Sequence, residues 1–303
     1  MNITLKKVFQ LSNYIYNLAR ITGLQNCRLN KIAPSVPFGE LDKIHNLHVT
    51  KLTLQQAELE RFIETYFPVL PPGWKDVRYK KVFEFFATYT LLKPGPDDVY
   101  LDAAGGIYSY IKKIECKKKT LQDIRVSQSI RDYLGDTVTF VESNADQISL
   151  PDGSVDRISV HHSIEHFQQE ADTGFIREVQ RLLSPRGKCC IIPIFLSEQF
   201  IEVVDTYNST VQFAENSKKL VDITSILPGG KTSGNYARIY DINAFQSRII
   251  DHIDHEAFKV TLCELELDGK HIPDMDLPVH KDVPNIECPH RVLMIERRQQ
   301  ADS

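Results

Sequence analysis

No two cysteines in this sequence have the spacing of a metal clip, and the six, at positions 27, 116, 189, 190, 263 and 288, form no compact disulfide framework. Cys189 and Cys190 fall in an apolar stretch that reads as a buried strand, where adjacent side chains point to opposite faces and a bridge between them is strained. They are expected to be small core residues in a reducing compartment. No segment approaches the roughly 18 consecutive apolar residues of a membrane span, and the N-terminus carries no apolar run of the signal type. A soluble, cytoplasmic chain with no integral membrane span is therefore expected. Charge of one sign is not in excess either: 36 basic residues face 40 acidic ones, for a net charge of -4. That balance carries no nucleic-acid footprint, and the run Lys117 to Lys119 reads as a solvated surface. Internal repeats, low-complexity segments and a complete G-x-G-x-x-G are all missing.

What is present is an ordinary globular composition, 42% apolar and 25% charged, in a chain of 303 residues that is long enough to bury a full core. Residues 4–22 place Leu5, Val8, Phe9, Leu11, Tyr14, Ile15, Leu18 and Ile21 near one helical stripe, a helix suited to docking on the main domain or on a second copy in a homodimer. A polar stretch with Pro34, Pro37 and Gly39 follows. Thr53 to Phe67 is again helical, with Thr53 as the expected cap, and Pro68, Pro71, Pro72 and Gly73 end it. A third helix, Tyr79 to Leu92, runs into Lys93-Pro94-Gly95-Pro96, where the prolines forbid continuation.

From there strands alternate with helices: strand 98–102, helix 106–115, strand 119–123, helix 127–134, strands 137–141 and 155–160, helix 171–183 and strand 188–194. This order predicts an α/β fold, a mostly parallel sheet covered on both faces, with its ligand site at the strands' C-terminal ends. The segment 197–235 is too long for a simple connection and is expected to be a lid or substrate insertion. Asp241 can cap a helix over INAFQSRII, and Phe258 to Leu267 with Val292 to Glu296 read as a final strand pair.

The segment Val99 to Gly106, VYLDAAGG, combines a short apolar strand, a terminal acid and a turn of small residues. Asp123 follows about twenty residues later, at the separation that sets a carboxylate against a ribose hydroxyl. Ala145-Asp146 before LPDG, VDRISVHHSIEH and FIREVQRLLSPRGKCCIIPIF complete a series that resembles the class I S-adenosylmethionine-dependent methyltransferases, from roughly Trp74 to Arg298. The resemblance implies a Rossmann-like fold with a seven-stranded sheet and an N-terminal helical extension over 1–73. The methyltransferase domain would occupy 74–298, with the insertion near 197–235.

The same resemblance implies S-adenosyl-L-methionine as cofactor, bound by Asp102, Ala104, Gly105, Gly106, Asp123, Ile124, Ala145, Asp146, Gln147 and His161. Asp123 would accept the ribose hydroxyls and Asp146 the adenine amine. Ala104 and Tyr108 stand where the family commonly has glycine; Tyr108 is either a wall of the pocket or a sign of weakened cofactor binding. His161 and His162 follow the fourth strand, where an imidazole can take a substrate proton or can only shape the pocket. His162, Glu165 and His166 hold three atoms of metal-ligand type, but no metal is expected, and Glu165 with His166 reads as a structural pair. Tyr236, Arg238 and Tyr240 are the expected substrate contacts; Arg238 either holds an anionic group or anchors the insertion. The implied reaction is methylation of a hydroxyl, or an amine, of a small molecule or sugar. The competing reading is a catalytically inactive methyltransferase-like fold that binds a nucleoside or a partner protein.

Overall fold

The computed structural model describes residues 34–67, 78–106, 109–204, 213–214, 216–221, 236–271 and 290–299. The amphipathic segment 4–22 with its proposed dimer surface, Tyr108, and most of 197–235 and 268–291 lie outside the described residues. In chain order the elements are β1 (His48–Leu54), α1 (Gln56–Tyr66), α2 (Arg78–Leu92), β2 (Val99–Ala103), β3 (Lys118–Asp123), α3 (Gln128–Leu134), β4 (Thr139–Glu142) and β5 (Val155–His161). They continue with α4 (Ala171–Leu182), β6 (Leu183–Ile192), β7 (Ile201–Val204), β8 (Lys218–Val221), β9 (Tyr236–Ile239), α5 (Ile242–Arg248), β10 (Phe258–Leu267), β11 (Lys270–His271) and β12 (Arg291–Arg297).

Eight strands run side by side in the order β1-β10-β12-β6-β5-β2-β3-β4, and the short β11 pairs with β10 alone. Along that path only β12 runs against its neighbours β6 and β10. Successive residues of the central strands enter two different cores, which is what a sheet covered on both faces demands. Leu101, Cys189 and Ile191 join Phe175, Ile176 and Val179 of α4 on one face. Tyr100, Cys190 and Ile192 join Phe83, Phe85 and Phe86 of α2 on the other. The two adjacent cysteines are thus buried, free, and on opposite faces. No described helix is long and apolar enough to cross a membrane.

Four expectations need correction. The sheet has an eighth strand, β1, which binds β10 in parallel from His48↔Thr261 to Leu54↔Leu267, so part of the expected helical extension belongs to the main sheet. In its HVTKLTL pattern only Leu54 is buried, and Lys51 on the edge pairs with Glu266, features that protect an edge strand and hide it from a hydrophobicity reading. Thr53 lies in that strand and caps nothing; α1 starts after Gln55, and the Asp268 carboxylate accepts from the backbone N–H of Gln56. The helix expected over 106–115 is a single 3-10 turn, Ile111–Lys113, among the described residues. Tyr110, Ile111 and Ile114 are all buried there, and Ser109 spends its hydroxyl on Asp102, so the segment is pulled against the sheet instead of winding over it. The expected strand 188–194 starts earlier: residues Ser184–Gly187, left between it and helix 171–183, are part of β6, absorbed by a register shift against Val155 and Arg157.

The described strands of the insertion, β7 and β8, join β9 just beyond it in a separate three-stranded sheet, β8-β7-β9, with β7 parallel to β8 and antiparallel to β9. Asp241 caps α5 by accepting from Ala244 N–H at 2.7 Å. Because Ile158 sits in β5 at the centre of the sheet with no exposed surface, Ile158→Ala is expected to lower stability by about 2–5 kcal/mol, read as a lower urea midpoint at unchanged slope.

Candidate functional site

The strand order reverses between β2 and β5: the chain leaves β2 for β3 and β4 on one side, and the sheet continues from β5 to β6 on the other. Such a switch point opens a crevice at the C-terminal ends of the strands, and the residues there come from four segments. The first is the turn after β2. Asp102 is fully buried; one carboxylate oxygen accepts from Ser159 at 2.8 Å, the other from Ser109, and His161 Nδ1 lies 3.6 Å away. A Cβ on Gly105 would come within 2.6 Å of that carboxylate, so only glycine fits beside it. Ala104 and Gly106 both adopt left-handed conformations, φ 50° and 55°. For alanine this costs about 1–2 kcal/mol, offset by Gln122, whose Oε1 accepts from Ala104 N–H at 3.1 Å.

The second segment is the end of β3. The Asp123 carboxylate lies over Gly106, 4.0 Å from where a Cβ on that glycine would stand. Partial burial raises its pKa above the ordinary carboxylate value, against hydrogen bonds from the N–H groups of Arg125, Ile124 and Gly106. Ile124 beside it is 72% exposed, the one large hydrophobic side chain among the described residues left in solvent. The third segment follows β4 and is tied to the second by Ser143 N–H donating to Asp123 O at 3.1 Å. Here Ala145 is buried, Gln147 is exposed, and Asp146 Oδ1 is buried with no hydrogen-bond partner among the described residues.

The fourth segment is the loop after β5, and it separates the histidines. His161 is a core residue: its Nε2 meets Thr88 Oγ1 at 3.0 Å, and Phe85 and Tyr110 stand edge-on to its ring. His162, in a left-handed conformation at φ 47°, has Nε2 2.7 Å from Glu84 Oε1 and Nδ1 3.2 Å from Glu165 Oε1. With carboxylates at both ring nitrogens it presents no lone pair to a substrate, and His161 is sealed in the core. The expectation of a base at either position is corrected on those grounds. His166 is different, with a side chain 42% exposed and its Nδ1–H donating to the backbone carbonyl of Tyr236. No group of acids, histidines or cysteines among the described residues is arranged to hold a metal ion.

Glu84 was not legible as a site residue, although a lone acid inside the apolar VFEFFA of α2 is a signal. It is fully buried on the helix face toward the site. Burial would raise its carboxyl, but His162, Lys81 and His290 draw it well below the usual range. Ser163 also went unread; its hydroxyl donates to Ala104 O at 3.0 Å and binds the histidine loop to the turn after β2.

Tyr236, Arg238 and Tyr240 were expected to meet substrate, and the structure turns them inward. Arg238 has no exposed surface; its guanidinium pairs with Asp172 at 2.5 Å and with Glu202 at 2.9 Å. Tyr240 donates to Asp172 at 2.9 Å, Tyr236 donates to Glu202, and Arg248 adds a second cation on Asp172 at 2.7 Å. A guanidinium whose charge is already offset twice cannot receive a substrate anion, so this cluster bolts the small sheet to α4.

Comparison with known proteins finds a family model, a relative and solved structures to which parts of this chain are similar. A family model described as a methyltransferase domain matches residues 100–191. The ubiquinone/menaquinone biosynthesis C-methyltransferase UbiE of Hahella chejuensis is 30% identical over 104 residues, 30% of this chain and 41% of the relative, so the chain matches less than half of that protein's length. Among solved structures, a Burkholderia thailandensis 1,6-didemethyltoxoflavin-N1-methyltransferase is similar over 88% of this chain and 93% of that one, at 13% identity and a TM-score of 0.42. An S-adenosylmethionine-dependent methyltransferase of Aquifex aeolicus is similar over 45% of this chain and 73% of its own, at 17% identity and a TM-score of 0.31.

The buried cluster makes stability pH-dependent with a definite sign. Burial would raise the carboxyls of Asp172 and Glu202, but their arginine, serine and tyrosine partners hold both below their ordinary values. The folded state therefore binds fewer protons than the unfolded one, and their contribution is full above about pH 4 and lost as pH falls through the depressed values. Arg238→Leu, which leaves Asp172 and Glu202 short of a cation, is expected to cost about 3–5 kcal/mol near neutrality, and thermal unfolding across pH 2 to 7 is expected to show a shallower acid slope for the variant.

Proposed function

We propose, from the premise that this chain belongs to the class I S-adenosylmethionine-dependent methyltransferase superfamily, that it methylates a hydroxyl-bearing small molecule in the crevice between β2 and β5. The observation that carries this reading is the conjunction at one sheet edge of three features: the left-handed Gly106, the Asp123 carboxylate over it, and the partnerless buried Asp146 Oδ1. These fit the cofactor. A two-oxygen acceptor at a strand end suits a ribose diol, and a buried acceptor with no partner suits an exocyclic amine. The exposed Ile124, between them in the chain, offers an apolar face for a base, and Ala145 and Gln147 would flank it. S-adenosylmethionine, when bound, supplies an electrophilic methyl group on a sulfonium that leaves as a neutral thioether.

The chain's own part is placement and desolvation. Asp102, with Ser109 and Ser159, sets the turn that backs the crevice, and Ser163 locks the histidine loop to it. The small sheet β8-β7-β9, held by Arg238, stands beside that loop through the His166–Tyr236 hydrogen bond and helps to exclude water from the acceptor side.

A second reading concerns the atom that is methylated. The likeness to a C-methyltransferase favours an aromatic carbon made nucleophilic by a neighbouring ring hydroxyl, and a deprotonated phenol can react at either position. Residues 1–33 and any dimer they form stay outside this reading.

Calorimetric titration with S-adenosylhomocysteine tests the site first. Micromolar binding, on the order of -8 kcal/mol, is expected for the native chain, with at least a tenfold loss in Asp123→Ala. Absence of binding to the native chain would sink the enzyme reading and leave a non-catalytic fold. Incubation with methyl-labelled donor and a panel of phenols, quinols and amines then identifies the acceptor, and product NMR separates oxygen from carbon methylation.

A further inference from the structure

We propose that His166 is the general base of this site, that it takes the proton of the acceptor hydroxyl on Nε2, and that Glu165 is the carboxylate that positions it. The inference rests on the methyltransferase reading above and adds the residue that activates the acceptor.

The tautomer is set by the backbone. A carbonyl oxygen can only accept, so the hydrogen bond from His166 to Tyr236 O places a proton on Nδ1. In the neutral ring the lone pair is then on Nε2, the nitrogen 3.9 Å from Glu165 Oε1, on a side chain that is 42% exposed. Neither His161 nor His162 combines a defined lone pair with access. When Nε2 takes a hydroxyl proton, the O–H bond breaks, its electron pair stays on the acceptor oxygen, and an imidazolium forms beside a carboxylate that offsets its charge. The proton then leaves to water from the exposed ring.

Glu165 is built for that duty. It is fully buried, its Oε1 faces His162 Nδ1 at 3.2 Å as well as His166, and its Oε2 has no hydrogen-bond partner among the described residues. Burial alone would raise its carboxyl; the His162 hydrogen bond and the neighbouring imidazoles bring it below the ordinary value. Behind it the chain His162, Glu84, Lys81 continues, with Glu84 Oε1 2.7 Å from His162 Nε2 and Glu84 Oε2 3.8 Å from Lys81 Nζ. Glu165 thus stands between two imidazoles, one locked and one open. The other groups near His166 are on β9: the Tyr236 hydroxyl, committed to Glu202, and Arg238, committed to Asp172 and Glu202.

The test reads the ring itself before any turnover. In 15N-resolved NMR of the full chain, the resonances missing from His166→Gln identify this residue, and at alkaline pH they are expected to report the Nδ1–H tautomer. Glu165→Gln is expected to leave S-adenosylhomocysteine binding unchanged and to lower kcat at similar KM once the acceptor is known. An Nε2–H tautomer would overturn the proposal whatever the acceptor is, and an unchanged kcat in Glu165→Gln would overturn the positioning role of that carboxylate. With the acceptor found by the labelled-methyl panel, His166→Gln is expected to lower kcat about 100-fold or more at similar KM and to remove the acid limb of the pH profile. S-adenosylhomocysteine binding should be unchanged in that variant. Retained kcat with an intact acid limb would assign the base elsewhere, whereas failure of the native chain to bind S-adenosylhomocysteine would count against the methyltransferase reading and not against the tautomer.

Discussion

The Asp102 carboxylate lies at the end of the central strand with no access to water, and the geometry of the crevice depends on how its charge is met. Ser109 from the turn and Ser159 from β5 donate to it, and His161 approaches it from the helix side while holding Thr88 of α2. A buried carboxylate that lost these donors would carry a penalty of several kcal/mol, so turn, strand and helix are obliged to keep their relative positions. The same demand explains why the connection after β2 is drawn down into a 3-10 turn: Ser109 must reach Asp102, and the buried Tyr110 and Ile111 follow. Gly105 is required because the carboxylate occupies the space its Cβ would need.

A second buried electrostatic cluster, around Arg238, belongs to the insertion and does different work. Two arginines and two carboxylates are nearly balanced in charge, and their hydroxyl partners Tyr236, Tyr240 and Ser217 satisfy remaining acceptor sites. Such a network gains little net stability over an apolar core, but it admits one arrangement only. That property suits a segment that must bring the Tyr236 carbonyl to the same place beside His166 in every molecule. The third cluster, from Lys81 and Glu84 through His162 to Glu165, is asymmetric: closed at the α2 end and open at His166.

Much of this was legible in the chain. The alternation of apolar strands with amphipathic helices gave the α/β class, because burial on two faces of a sheet requires residues that serve two cores in turn, as Cys189 and Cys190 do. Asp123 was located by its distance from the turn, and Asp241 by the short reach of a capping carboxylate. Where a pattern is set by neighbours in the sequence, the sequence suffices. The missed elements are those decided at long range. β1 has too little apolar content to announce itself and exists because the edge of β10 offers it a register. The failed helix after β2 had adequate helical periodicity, but its polar groups found Asp102 instead.

The sequence by itself determined the sheet class and the turn of small residues, since each follows from local spacing and from the residue types a close backbone approach permits. Only the tertiary structure decided which histidine is open and which arginine is closed. His161, His162 and His166 stand within six positions of one another, and no local rule ranks them. Their ranking comes from partners 73, 78 and 70 positions away, Thr88, Glu84 and the Tyr236 carbonyl, brought together by the folded sheet. Arg238 was readable either as a substrate contact or as an anchor of the insertion, and Asp172 and Glu202, distant in sequence, decide for the anchor by meeting its charge.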